Sequence, residues 1–284
     1  MSSIFLHMHL GLGDHIICHG IVREYCKKYD RVGIFCHPHN YQSVSFMYRD
    51  LKNLEIMQGS EKDAREFARQ GGRGNKHAFD EMKIVGFENL DGNSGELFEK
   101  QFYRLAGVDF SKKWDSFFVE RDREREEVLW EKVAPRGEYV FLHEDSPRNY
   151  RIERRMIDSR YPIVTANPKT ASNAFDYCTV IERAKEIHVI DSSFMFLVDC
   201  LSYRNPDQKL YVHRYARENT AWKLPVLKKD WEILTLASTE NGRFSTFLDS
   251  VEGLFLHYPP FKRVTRKIYR TLGWRTRAQK RGSI

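Results

Sequence analysis

Residues 7–19 read HMHLGLGDHIICH, and the reading of this stretch decides the fold. A strand-like apolar run over 3–10 breaks at Gly11-Leu12-Gly13-Asp14, and an amphipathic helical run over 15–29 follows at once. A first strand that passes through glycine into a helix opens a parallel α/β sheet. In such sheets ligands collect at the carboxyl ends of the strands. Gly11 and Gly13 stand at the first of those ends, where glycine permits positive φ and close approach of a backbone or ligand. Asp14 falls where a helix N-cap belongs. The turn is therefore a capped glycine turn alone, or one that also carries a working carboxylate.

Outward from this stretch, strand and helix keep alternating. Strands are predicted at 31–37, 54–58 and 81–87, with helices at 41–51, 61–69 and 94–108, the last stopped by Gly107. Residues 116–133 start extended and end as a charged helix. APRG at 134–137 breaks the series. A second series follows, with strands at 139–144, 162–166, 187–191, 209–214 and 231–236 and helices at 149–159, 174–185 and 193–203. The fold class is thus α/β, with two Rossmann-like doubly wound domains facing a cleft. The domains run over 1–134 and 135–240. Residues 241–284 hold an apolar helix at 244–257 and a basic tail.

The chain has 284 residues, 41 % apolar and 13 % aromatic, enough for real cores. No run approaches the ~18–20 apolar residues that span a bilayer. The N-terminus shows no secretory signal, and five scattered cysteines fit reduced thiols, so a cytoplasmic protein is expected. Net charge is +7, yet residues 262–281 alone carry nine Lys/Arg and no acid. Without them the remainder stands at about −2 by formal count, which argues against a nucleic-acid-binding body.

The turn does not read as a dinucleotide fingerprint. GxGxxG needs glycine where Ile16 stands, and the second strand ends in CHPHN without an acid for the ribose. Instead, GLGDHIICHGIVREYCKKY resembles the opening of the heptosyltransferase-like glycosyltransferases, the lipopolysaccharide family of GT-B fold. VIERAKEIHVIDSSFMFLVDCLS, residues 180–202, looks like that family's donor-site segment. The resemblance implies transfer of a sugar from a nucleotide-activated donor to a glycan or glycolipid acceptor, with inversion and without a metal or other cofactor. It carries the family's catalytic base onto Asp14. Inverting transfer needs such a base to take the acceptor's hydroxyl proton. His15 could tune or replace it, while His19 reads as an ordinary helix residue.

On the donor side the helix start at Asp191-Ser192-Ser193 offers N–H groups and hydroxyls to a diphosphate, or is a plain serine cap. Here the chain departs from the family, which has glycine after the small residue and a histidine further into the helix: Ser193 and Phe194 stand at the first places, and no histidine follows. The family's lysine segment is replaced by DSPRNYRIERRM at 145–156. Arg148 and Arg151 are the preferred phosphate forks, and Arg154 and Arg155 read as a solvated face. Lys169 and Thr170 could reach nucleotide or phosphate, and Asn173 or Asp176 the ribose. His7 and His9 share a strand face, but no third metal ligand is implied. The 262–281 tail reads as a peripheral helix for an anionic membrane surface. A transferase-like binding protein that has lost its chemistry is the competing reading, and a nucleic-acid-associated protein acting through its tail is a third.

Overall fold

The computed structural model describes residues 2–74, 77–217 and 223–235. The predicted helix at 244–257 and the basic tail at 262–281 lie outside them. In the first lobe β1 (Ser3–Met8), β2 (Arg31–Cys36), β3 (Leu54–Gln58) and β4 (Glu81–Val85) form a parallel sheet in the order β3-β2-β1-β4. Its helices are α1 (Leu12–Ile17), α2 (His19–Cys26), α3 (Tyr41–Met47), α4 (Glu61–Arg69), α5 (Phe98–Ala106), α6 (Lys112–Asp115) and α7 (Arg123–Val133). In the second lobe β5 (Val140–His143), β6 (Ile163–Thr165), β7 (Glu186–Val189), β8 (Lys209–His213) and β9 (Trp231–Leu234) run parallel in the order β6-β5-β7-β8-β9. Helices α8 (Cys178–Arg183) and α9 (Ser193–Cys200) cover it.

Alternation along the strands buries both faces of each sheet. Ile4, Leu6 and Met8 of β1 join one core, while Phe5 turns to a second with Phe35, Phe67 and Phe79. In β5, Phe141 joins the first of these cores, and Val140 and Leu142 pack on Ile152 and Ile190. Residues of the two sheets thus share one continuous apolar cluster.

Local chemistry sets the element ends. Ser60 and Asp63 form a reciprocal capping box at α4, and Gly107 closes α5 in the left-handed region at φ 66°. The predicted helix at 149–159 is absent: only a single 3₁₀ turn forms, at Arg154–Met156. Asp145 and Tyr150 pair as an antiparallel bridge around Asn149, whose φ is +61°, and Glu144 accepts the Ile152 N–H at 3.0 Å. These contacts hold the chain in a tight turn where its Arg/Glu composition suggests a helix.

The lobes are joined by polar contacts as well as by the core. Glu99 and Lys113, both fully buried, pair at 2.9 Å, and each also bonds the Val226 backbone. Asp199, also buried, accepts the indole N–H of Trp114 at 2.9 Å and of Trp231 at 3.1 Å, and the N–H groups of Lys228 and Lys229.

Candidate active site

In each sheet the strand order reverses at one place. These are the points between β1 and β4 and between β5 and β7, the crevices where open α/β sheets bind ligands. The first holds Gly11–Asp14. The second holds His143, Asp191 and Ser192. Helices α1 and α9, which leave these two points, pack on each other. A β-carbon on Gly13 would lie 3.4 Å from the Phe196 ring and 3.6 Å from Ser193 Cα. Glycine at 13 therefore sets how closely the turns of the two lobes meet.

Gly11, not Asp14, occupies the N-cap of α1, so the plain capping role considered for Asp14 does not hold. Asp14 sits in the first helical turn, half-buried, with its carboxylate folded back over Gly11. A β-carbon at 11 would come within 2.6 Å of Asp14 Oδ2. Burial pushes the Asp14 carboxyl up to about 6. Its own backbone N–H and the positive charge of Arg217 oppose that rise, and the Glu61 charge adds to it.

His15 lies inside the core with no exposed surface, and burial lowers its imidazole to about 3. A neutral ring enclosed there cannot share the proton of an incoming hydroxyl. His19 is likewise buried, stacked on Tyr48 at 5.1 Å and accepting from Arg23 at 3.3 Å.

On the second wall Asp191, Ser192 and Ser193 are half-buried where β7 runs into α9. Burial raises the Asp191 carboxyl, against the charges of Arg214 and Arg217. Ser192 stands at the N-cap of α9 but caps nothing with its side chain. Its Oγ meets His143 Nδ1 at 3.0 Å, and the His143 ring stacks on Phe194 at 4.2 Å. Burial lowers His143 to about 4, leaving it neutral. Arg217, just past β8, donates to the Asp191 carbonyl and lies over the Tyr150 ring.

The other predicted residues scatter. Arg148 is exposed and bound to Asp145 at 2.5 Å, and Arg151 is exposed. Arg154 pairs with Glu144 at 3.0 Å and Arg155 with Glu153 at 2.6 Å. Lys169 is exposed on the rim of an open hollow of about 470 Å³ beside Arg125 and Lys132. Asn173 and Asp176 bond each other, and Asp176 also pairs with Arg125 at 2.7 Å. His7 is buried and stacked on Phe87. Among the described residues no three His, Cys, Asp or Glu side chains group to hold a metal ion.

Sequence reasoning missed His143 and Arg217. His143 closes a strand, and that position was itself the available signal. Arg217 has none nearby in sequence; only the strand order brings it to Asp191.

The architecture is that of the GT-B-like glycosyltransferases. E. coli ADP-heptose lps heptosyltransferase II matches with a TM-score of 0.52 over 89 % of this chain and 98 % of that one, at 10 % identity. The glycosyl transferase family 9 protein of Veillonella parvula DSM 2008 also gives 0.52, over 82 % and 86 % of the two chains, again at 10 % identity. At that identity the likeness is one of fold. No family profile matches the chain, and no curated protein matches it in sequence.

Proposed function

We propose that the protein is a glycosyltransferase that moves a sugar from a nucleotide-activated donor to a glycan or glycolipid acceptor, with inversion and with no metal. The lobe of residues 1–134 receives the acceptor and that of 135–240 the donor. One observation carries the reading. A half-buried carboxylate that burial raises to about 6, Asp14, stands at the switch point of one sheet, on a turn packed against the corresponding point of the other. The Asp14 carboxylate takes the acceptor's hydroxyl proton. The acceptor oxygen bonds the anomeric carbon, and the sugar–phosphate bond breaks with its electron pair leaving on the diphosphate. Ser192, Asp191 and the first N–H groups of α9 line the leaving group's side.

The test is an Asp14→Asn variant assayed for sugar transfer from nucleotide sugars, beside calorimetric binding of nucleoside diphosphates. Loss of transfer with binding kept supports the reading. Transfer at the wild-type rate removes Asp14 from the chemistry. No helix of the described residues is long and apolar enough to cross a membrane. We assign the basic 262–281 segment to peripheral contact with an anionic membrane surface on the cytoplasmic side. Deleting it should release the protein from phosphatidylserine vesicles and spare transfer to a soluble acceptor.

A further inference from the structure

We infer that Arg217 is the anion anchor of this site and holds the donor's diphosphate, an inference that rests on the transfer reading above. The arginines that follow β5 are poorly suited to that task. Arg148, Arg154 and Arg155 are each neutralised by an acid of their own loop, and Arg151 stands in solvent. Arg217 differs on every count. It is half-buried, and among the described residues it makes no ion pair. One N–H goes to the Asp191 carbonyl, and its guanidinium carbon lies 5.9 Å from the centroid of the Tyr150 ring. The remaining donors of its planar fork are available for a bidentate bond to phosphate. A half-buried guanidinium that forms no ion pair gains a direct, hydrogen-bonded counter-charge when a phosphate arrives.

Its position is central. The positive charge of Arg217 favours ionisation of both Asp14 on the first wall and Asp191 on the second, which puts the guanidinium within electrostatic reach of each. A diphosphate held there would lie where a sugar it carries can face Asp14.

The segment bearing Arg217 is pinned in place. Tyr215 Oη accepts the Glu153 N–H at 3.0 Å and meets His213 Nδ1 at 3.0 Å. His213 Nε2 meets His188 Nδ1 at 2.8 Å, and His188 Nε2 meets Glu186 at 3.3 Å. One proton arrangement satisfies the whole chain. His188 donates to Glu186, His213 donates to His188, and the Tyr215 hydroxyl donates to His213. Both rings are buried, and burial holds them neutral, His188 at about 4 and His213 at about 3. The chain thus fastens the stretch after β8 to the loop that carries Tyr150, so guanidinium and ring keep their mutual placement.

The test titrates the full-length protein and its Arg217→Gln, Arg217→Lys and Arg148→Gln variants with ADP, GDP, UDP, the corresponding nucleosides and inorganic diphosphate, by calorimetry. The wild type should bind one of the nucleoside diphosphates. Arg217→Gln should weaken that binding by about tenfold or more, leave nucleoside binding unchanged, and flatten the salt dependence. Arg217→Lys should fall between the two, and Arg148→Gln should match the wild type. Ligand-free melting curves identify a variant that fails to fold, in which case Arg217→Lys decides, and wild-type affinity in it overturns the inference. Diphosphate binding by Arg217→Gln equal to the wild type overturns the inference and leaves the transfer reading standing. So does an equal loss of nucleoside and diphosphate affinity, the mark of a merely structural role. A wild type that binds no diphosphate overturns both.

Discussion

Two strand-to-helix turns meet at the lobe junction, and they are built in opposite ways. At Gly11–Asp14 the carboxylate bonds its own backbone N–H and fills the space that a side chain at residue 11 would take. At Asp191–Ser193 the polar atoms are committed: the Asp191 carbonyl to Arg217, the Ser192 hydroxyl to His143. Both turns bury a carboxylate and raise it. The difference is that the first turn's carboxylate has, among the described residues, no hydrogen-bond partner from another segment, while the second turn's groups are bonded to residues of other segments. Proton transfer needs a group near its pKa; anchoring a leaving group needs fixed donors that cost no reorganisation.

The contrast breaks most sharply at Asp14. Asp14→Asn should lower the transfer rate by about 10²–10⁴-fold, whereas Asp191→Asn should act chiefly on donor KM. Steady-state kinetics of the pair would erase the contrast if the two variants lost kcat equally. Gly11→Ala comes next. Its methyl group displaces the Asp14 carboxylate, a flexible side chain, rather than the backbone, so the protein should fold and lose rate by roughly 10²-fold, the scale of an ångström of misplacement. Ser192→Ala removes one hydroxyl and should raise donor KM about fivefold to tenfold, the scale of a lost hydrogen bond.

The pH dependence sharpens the same comparison. Transfer needs the Asp14 carboxylate, so the rate should climb with pH through about 6 and then level, a limb absent from Asp14→Asn. Stability runs the other way. A carboxyl whose folded pKa lies above its unfolded value contributes fully below the unfolded value and loses that contribution as pH rises through about 6. At pH 7.5 Asp14→Asn should therefore be the more stable protein, by about 1–3 kcal/mol once partial solvent contact is discounted. Thermal melting at pH 4.5 and 7.5 measures this, and a lower melting point for the variant at pH 7.5 contradicts it.

The strands were readable in the chain because each is a short apolar run bounded by turn chemistry. Residues 54–58 and 61–69 match their elements to the residue; Ser60, two residues past the strand, caps the helix with Asp63 in a reciprocal box. The stretch 149–159 was misread because one bridge, Asp145 to Tyr150, overrides local propensity. The first wall of the site was readable because its residues are consecutive. The second was read only in part. Asp191 and Ser192 lie in sequence with their helix, but His143 and Arg217 arrive from other strands through the sheet order. Nearness to the end of a strand favours Arg148 and Arg151 in the sequence, but a sequence does not show that Arg148 is already paired with Asp145.

Asp199 has a consequence for how the molecule comes apart. One carboxylate ties a helix of the first lobe to strand β9 of the second, so neither half can melt without stripping the other of partners. Calorimetry should record a single heat-absorption peak, and a chain severed near residue 134 should yield two insoluble fragments rather than two working halves.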